Sequence, residues 1–383
     1  MNIILKPTYA CNLRCRYCYL NNDTKAHVER FDVDFAQKFV LQLKELYKDC
    51  PHRKINFIWH GGEPLLWGID NYRTIFSFMQ KELVGYNYRN SIQTNLTLIN
   101  DSYIDLFVGY DVHVGFSLDG PREIHDCQRV DMHCNGSFDT IMDNLQLCRK
   151  KGLSLGCIVV GTKKHIGNIP KLYEFMANNN LSFKFNPIFN SGEAKNNDDE
   201  YGITIDEYAD MAIELFDLWY NDKQHHIVES NFVEIASNLA TGKPGGCLFG
   251  KNCQDNFFAI SPVGDVVPCG RFCDTDSRQY AYGNLYKESL SEILPRIKTS
   301  QIYQRASYIE KSDCGKCRFF PICHGGCLHD GFLTSGDFKS KSFLCSAYKR
   351  IFAHIMDSMS DLVKHREGKG VNGMLSKEVS SKD

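Results

Sequence analysis

Predicted strands and helices alternate through the first half of the chain. The predicted strands are residues 3–9, 54–60, 91–95, 112–118, 153–161 and 182–188. Helical periodicity separates them, at residues 32–47, 71–83, 102–107, 137–150 and 168–178. Strands that alternate with helices form a parallel sheet with the helices packed outside it. The order of elements therefore predicts an α/β fold, a partial barrel of about six strand–helix units.

Four stretches with chemically functional side chains follow these strands or lie at their ends. They are residues 11–18, 61–64, 93–95 and 117–120. In TIM-like α/β barrels the functional residues gather at the carboxyl ends of the strands. We therefore expect these stretches to meet at one rim, although they lie far apart in the sequence.

Composition limits the possible partners and the cellular location. The net charge of −2 gives no basic surface for nucleic acid. No apolar run is long enough to span a membrane, and the start of the chain is too short for a signal peptide. A cytoplasmic protein without nucleic-acid or membrane partners is expected. In that compartment, 17 cysteines indicate bound metal rather than disulfides.

The first cysteine group is Cys11, Cys15 and Cys18, at spacings of four and three residues. Three thiolates on one loop can hold three irons of a cubic [4Fe–4S] cluster and leave the fourth iron open for an exchangeable ligand. The spacing alone also permits three buried structural cysteines, or three ligands of a zinc ion. Of these alternatives, the cluster with an open iron is the one that predicts catalysis at this loop.

The second cysteine group lies beyond residue 245, where the chain becomes rich in glycine and cysteine. It contains Cys247, Cys253, Cys269, Cys314, Cys317, Cys323, Cys327 and Cys345. Eight thiolates suffice for two further clusters with four ligands each. Two four-cysteine zinc sites are the alternative, since zinc ribbons share the C-x2-C spacing.

The cysteine loop, together with Gly61-Gly62-Glu63-Pro64, resembles the radical S-adenosylmethionine (SAM) superfamily, whose signature is C-x3-C-x2-C. The resemblance implies that the open iron binds the amino and carboxylate groups of SAM. The reduced cluster then cleaves SAM to a 5′-deoxyadenosyl radical that abstracts a substrate hydrogen. It also implies a set of residues around SAM: Tyr17 near adenine, residues 61–64 at the amino group, and Gln93, Asn95, Ser117, Asp119 and Arg129 around the ribose and carboxylate.

The order of the later cysteines resembles the SPASM extension of radical SAM enzymes that modify peptides. It implies two auxiliary [4Fe–4S] clusters and hence three in all, with interleaved ligands: Cys247, Cys253, Cys269 and Cys327 for one, Cys314, Cys317, Cys323 and Cys345 for the other. The expected domains are a radical SAM barrel at 1–230, a SPASM domain at 231–365 and a disordered tail at 366–383. A reducing donor such as flavodoxin or ferredoxin is an expected partner.

The reaction is predicted from the residue after Cys269. Anaerobic sulfatase-maturating enzymes, which oxidise cysteine or serine to formylglycine, carry an aspartate base there; this chain has Gly270, with Asp274 nearby. The run Cys269-Gly-Arg271-Phe resembles enzymes that cross-link ribosomally made precursor peptides. Cyclophane-type cross-linking is the main hypothesis, with formylglycine formation as the alternative and a non-catalytic electron-transfer protein as a remote one. Only ten residues precede Cys11, so leader recognition is expected to need a separate leader-binding protein or a surface of this chain.

Overall fold

The computed structural model describes residues 1–26, 29–272 and 279–368, with side chains described up to residue 360. One sheet runs through these described residues. Its strand order is β6-β5-β4-β3-β2-β1-β7-β8-β9. Every pair from β6 to β7 is parallel, and the last two pairs are antiparallel. The strands are β1 Asn2–Thr8, β2 Ile55–Gly61, β3 Tyr88–Thr94, β4 His113–Ser117, β5 Leu155–Gly161, β6 Phe183–Pro187, β7 Phe257–Ile260, β8 Asp265–Val267 and β9 Gly283–Asn284.

Helices cover one side of this sheet and build most of the C-terminal region. In the first half they are α1 Asn22–Ala26, α2 Val33–Leu46, α3 Ile69–Glu82, α4 Asp101–Gly109, α5 Arg122–His125, α6 Phe138–Lys150, α7 Ile169–Asn178, α8 Glu193–Asn196, α9 Asp198–Tyr201 and α10 Ile205–Asn221. In the second half they are α11 Ser230–Thr241, α12 Leu290–Thr299, α13 Arg305–Lys311, α14 Phe320–Cys323, α15 Leu328–Ser335 and α16 Cys345–Gly368.

Alternation along the strands decides which face meets the helices. In β2, Phe57 and Trp59 are fully buried in the core, while His60 lies on the opposite, half-buried face. The helix α2 supplies the matching surface with Phe35 and Phe39, and the carboxylate of its N-cap Asp32 accepts a hydrogen bond from the Phe35 amide at 2.6 Å. Burying each such aromatic side chain contributes roughly 1.5–3 kcal/mol, so this layer holds the barrel together.

The open, mostly parallel sheet confirms the predicted α/β partial barrel. All six predicted strands are present, and the largest boundary error is at β3, which begins at Tyr88 rather than at residue 91. The short helices α8 and α9 are not among the helices that the periodicity predicted. These one-turn helices are stabilised by burial of Ala194 and Tyr201, and the Tyr201 hydroxyl donates to the Cys127 carbonyl at 2.9 Å.

The region beyond residue 245, which contains the eight later cysteines, adds strands to the sheet of the first half. Strand β7 pairs with β1 in parallel, and β8 folds back on β7 as an antiparallel hairpin. The helix α11 occupies the stretch that the sequence suggested as a domain boundary. Of the predicted tail, residues 366–368 continue α16, and 369–383 lie outside the described residues. Among the helices described here, none combines the length and apolar character needed to cross a membrane.

Candidate cofactor and cluster sites

The three-cysteine loop leaves the end of β1 and is clamped by the glycine turn that follows β2. The Gly62 amide donates to the Thr8 carbonyl at 3.1 Å, and the Glu63 amide donates to the Ala10 carbonyl at 2.8 Å. A Cβ atom on Gly61 would lie 2.2 Å from the Thr8 carbonyl oxygen, and one on Gly62 would lie 2.1 Å from the Tyr9 carbonyl oxygen. The glycine pair is therefore required by the close approach of two backbone segments.

Glu63 is fully buried and ties this turn to the end of β3. Its carboxylate oxygens accept hydrogen bonds from the Leu65 amide at 2.9 Å, the Thr94 hydroxyl at 2.8 Å and the Asn95 amide at 2.7 Å. Burial nevertheless raises the pKa of Glu63 to about 7. The Asn95 side chain in turn donates to the Asn12 side chain at 2.9 Å. Glu63 thus holds the cysteine loop and two strand ends in one network, and its predicted contact with the SAM amino group stays a prediction.

Tyr17, Asp119 and Arg129 form a second buried network against the cysteine loop. The Tyr17 hydroxyl donates to Asp119 Oδ2 at 2.6 Å and accepts a hydrogen bond from Arg129 Nη1. Across the concave face of the sheet, the Gln93 side-chain amide donates to the Ser117 hydroxyl at 3.3 Å. The structure therefore brings all the residues of the predicted SAM site to one rim. It pairs them in three groups, which are Glu63 with Asn95, Tyr17 with Asp119 and Arg129, and Gln93 with Ser117.

The cysteines of the first loop form one electrostatic cluster. All 16 cysteines among the described residues are free thiols, and Cys273 lies outside that range. Burial, followed by the nearby Cys15 thiol and the Glu63 carboxyl, raises the pKa of Cys11 to about 12. Thiols with such pKa values ionise when a metal binds them and release protons as they do so. The donor chemistry of this loop fits an iron–sulfur cluster.

The eight later cysteines fall into two spatial sets. Cys314, Cys317, Cys323 and Cys345 line one cavity together with Phe319 and Phe320. Charges on Cys269 and Cys247 raise the pKa of Cys253, and the charge on Cys269 raises that of Cys327, after the larger effect of burial. These two groupings correspond to the interleaved sets that the resemblance implied, and their role as cluster ligands stays a prediction. Within the described residues, no three His, Cys, Asp or Glu side chains converge closely enough to hold a single metal ion.

Buried cations near the cysteine sets were missed in the sequence. The ammonium of Lys6, 1% exposed on β1, donates to the Tyr19 hydroxyl at 2.9 Å and to the Gly270 carbonyl. Arg305 donates to the carbonyls of Ser340 at 3.2 Å and Gly325 at 3.1 Å, and it faces thiols of both later sets. The sequence feature that could have indicated a buried Lys6 is the position of a lysine within a mostly apolar strand.

Arg271 and Asp330 form a further buried contact beside the set that contains Cys327. Arg271 Nη1 donates to Asp330 Oδ1 at 2.6 Å, and its guanidinium carbon lies 4.3 Å from the ring centroid of Phe189. Asp330 is 2% exposed and accepts a second hydrogen bond, from the Ser342 hydroxyl at 3.2 Å. A cavity adjoins this pair, with Phe189 in its wall. A substrate that entered this cavity would meet both an aromatic surface and an ion pair.

Two family models match the chain. The Radical SAM superfamily model matches residues 5–176, and the SPASM model, an iron–sulfur cluster-binding domain, matches residues 247–318. A cysteine-type anaerobic sulfatase-maturating enzyme of Clostridium novyi is 28% identical over 95% of this chain and 97% of its own length. An uncharacterized protein of Methanothermobacter thermautotrophicus is 33% identical over 56% of this chain and 78% of its own length.

Solved structures share the fold at lower sequence identity. Native anSMEcpe with bound AdoMet and Cp18Cys peptide has a TM-score of 0.81 and 21% identity, covering 95% of this chain and 99% of that one. Streptococcus suis SuiB bound to precursor peptide SuiA has a TM-score of 0.63 and 16% identity, covering 90% of this chain and 75% of that one. These likenesses support the arrangement of barrel and C-terminal region.

Proposed function

Because the chain belongs to the radical SAM superfamily and carries a SPASM iron–sulfur domain, we propose that this enzyme is a maturase that oxidises one residue of a peptide or protein substrate. One observation carries the proposal: the similarity to a sulfatase-maturating enzyme extends over 95% of this chain and 97% of the relative. An alignment of that extent includes both the barrel and the later cysteines. A protein that only transferred electrons would have no use for an open iron.

We assign three [4Fe–4S] clusters to the eleven cysteines. Cys11, Cys15 and Cys18 hold the cluster that binds SAM, and the two later sets hold the auxiliary clusters. When bound, SAM and the clusters supply the radical that abstracts hydrogen and the route for the second electron. The chain's own residues orient SAM, and the proposed contacts are Tyr17, Gly61, Gly62, Glu63, Pro64, Gln93, Asn95, Ser117, Asp119 and Arg129.

The first candidate reaction is oxidation of a cysteine or serine side chain. These are the residue types that appear in the names of the sulfatase-maturating relatives. The comparisons favour this oxidation over the cross-linking hypothesis formed from the sequence. The substrate would then be a protein segment that presents the reacting side chain to the rim. Lys6 would stand beside it, between Tyr19 and Gly270.

Cross-linking within a precursor peptide is the second candidate, and Gly270 favours it. A Cβ atom at Gly270 would lie 3.4 Å from Ile4 and 3.6 Å from Lys6 Cε, which is ordinary contact. Packing therefore permits an aspartate at this position, yet the chain lacks the base that the sulfatase-maturating group carries there. A leader-binding partner belongs to this candidate only. A donor such as flavodoxin or ferredoxin and a cytoplasmic location belong to both.

The test is product analysis with the anaerobically reconstituted, reduced enzyme and SAM. A peptide with a Cys-x-Pro-x-Arg segment, its serine counterpart, and the peptide encoded beside the enzyme's gene are incubated separately. The first candidate gives 5′-deoxyadenosine and an aldehyde in place of the cysteine or serine. The second gives 5′-deoxyadenosine and a peptide that has lost two hydrogens and whose joined residues survive fragmentation together. No 5′-deoxyadenosine with any substrate would refute the proposal.

A further inference from the structure

Lys25 is a buried cation that stands beside no hydrogen-bond acceptor in the described ranges of the chain. It lies on α1, seven residues after Cys18, and its side chain is 3% exposed. Its Nζ atom has no hydrogen-bond partner in the part of the chain that the structure describes. Burying an unpaired ammonium costs several kcal/mol, so a fold keeps one only where another group compensates the charge.

The local backbone holds Lys25 inward. The Asn21 side chain accepts a hydrogen bond from the Thr24 amide at 2.6 Å, and the Asn21 carbonyl accepts one from the Lys25 amide at 3.2 Å. Thr24 is itself 1% exposed. Both residues therefore point into the protein, and solvent does not compensate the ammonium.

The charge of Lys25 acts on the cysteine loop. Burial raises the pKa of the Cys15 thiol, and the charges of Arg129 and, less strongly, Lys25 oppose that rise. Arg129 has a partner within the protein, the Tyr17 hydroxyl. Lys25 has none among the described residues, which leaves its charge available to a group that the protein acquires.

We propose that the ammonium of Lys25 is the charge partner of the iron–sulfur cluster held by Cys11, Cys15 and Cys18. Three thiolates around such a cluster give it net negative charge, which becomes larger on reduction. A nearby ammonium therefore stabilises the reduced form more than the oxidised form, and hydrogen bonds to cluster sulfurs act in the same direction. Lys25 is thus a positioning and tuning residue that makes the first cluster easier to reduce.

The inference rests on the proposed ligand set of the first cluster but requires no substrate. Its readout is the reduction potential of that cluster, followed by electron paramagnetic resonance during a redox titration of the full-length holoenzyme. The signal of the first cluster is identified as the one that changes when SAM is added. A failure of peptide modification would therefore leave this test intact.

Three variants separate charge from structure. Lys25→Met removes the charge at similar volume, and Lys25→Arg keeps it. Lys195→Met is the matched control, because Lys195 is exposed on α8, whose Ala194 amide donates to the Cys18 carbonyl at 3.1 Å. We expect Lys25→Met to disfavour reduction about tenfold, a shift of about 59 mV for one electron. Lys25→Arg should recover most of the shift, and Lys195→Met should show none.

The metal-free chain gives the second measurement. Without the cluster, Lys25→Met removes an uncompensated buried charge, so its unfolding free energy should equal or exceed that of the wild type. Failure of this variant to retain iron while its metal-free form stays folded would also support the pairing. An unchanged potential, an effect on SAM affinity alone, or a destabilised metal-free chain would each overturn it.

Discussion

The two cysteine regions solve the same chemical problem in different ways. The first places three thiols on one loop of eight residues, fixed by backbone contacts to the glycine turn. The second gathers eight thiols from residues 247 to 345 and sorts them into two sets that alternate along the chain. The three thiols of the first loop are therefore neighbours in the sequence and only the loop must be held in place, whereas the second region needs its whole fold to bring the thiols together.

The buried cations of the two regions differ as well. Arg271 is paired with Asp330, and Arg305 donates to two backbone carbonyls, so the C-terminal cations are satisfied within the protein. Lys25 is not satisfied among the described residues. This difference indicates that the C-terminal charges support the fold, while the charge at the first loop serves the cluster.

The largest expected effect separates the roles of the two regions. Cys15→Ser removes a proposed ligand of the first cluster and should abolish formation of 5′-deoxyadenosine. Cys323→Ser removes a proposed ligand of one auxiliary cluster, so SAM cleavage should persist while the yield of modified peptide falls at least tenfold. Chromatography of 5′-deoxyadenosine and mass spectrometry of the peptide measure both. Equal loss of SAM cleavage in the two variants would contradict separate roles.

The second effect concerns stability and tests the contrast between the cations. Arg271→Met leaves the buried Asp330 carboxylate with only part of its hydrogen bonding, which should lower the unfolding free energy by about 3 kcal/mol. Adding Asp330→Asn should restore much of the loss. Arg122→Met, at the exposed pair with Asp139, should change the unfolding free energy much less, because solvent screens that pair. Denaturation experiments that gave equal losses of unfolding free energy for Arg271→Met and Arg122→Met would contradict a special role of the buried pair.

The smallest effect lies where the barrel meets the helices of the second half, at Glu229. This carboxylate is fully buried and accepts hydrogen bonds from the Phe185 amide at 2.8 Å and the Phe232 amide at 2.7 Å. Burial raises its pKa from 4.5 to about 7. The folded chain therefore keeps a proton that the unfolded chain has released between these pH values, and the unfolding free energy falls as pH rises through that window.

Glu229→Gln should remove that share of the pH dependence, about 2 kcal/mol between pH 5 and 8, and should cost stability at both pH values because the amide offers one oxygen where the carboxylate offers two. Burial also raises the pKa of Glu63 to about 7, so Glu63 contributes a pH dependence of the same sign. The unfolding free energy of Glu229→Gln should therefore still fall somewhat as pH rises. Glu174→Gln, on the exposed face of α7, is the matched control. Urea denaturation at the two pH values measures the change, and an unaltered slope in Glu229→Gln would contradict the assignment.

Much of the first region could be predicted because its signals are local. The strand pattern gave β1 to β6, and the spacing of Cys11, Cys15 and Cys18 placed a metal site after β1. The pairing of β7 with β1 could not be predicted, since the paired residues lie about 255 positions apart and no short-range pattern records such a contact. The helices α8 and α9 were missed because tertiary burial, rather than propensity, stabilises them.

The functional side chains divide in the same manner. The spacing of cysteines in a sequence indicates metal ligands, so both later sets could be predicted from the order of the cysteines and the resemblance. The partners of Arg271 and Lys25 depend on which buried atoms lie nearby, and in Lys25 the informative feature is a missing contact. Such features become visible only when the side chains are placed.

The most direct test of the account is the fate of one hydrogen atom. A substrate peptide deuterated at the β-carbon of the reacting residue is incubated with the reduced enzyme and SAM, and the 5′-deoxyadenosine is analysed by mass spectrometry. Both candidate reactions require deuterium from the peptide to appear in 5′-deoxyadenosine as the peptide is modified. Modified peptide accompanied by 5′-deoxyadenosine without deuterium would contradict hydrogen abstraction from that carbon.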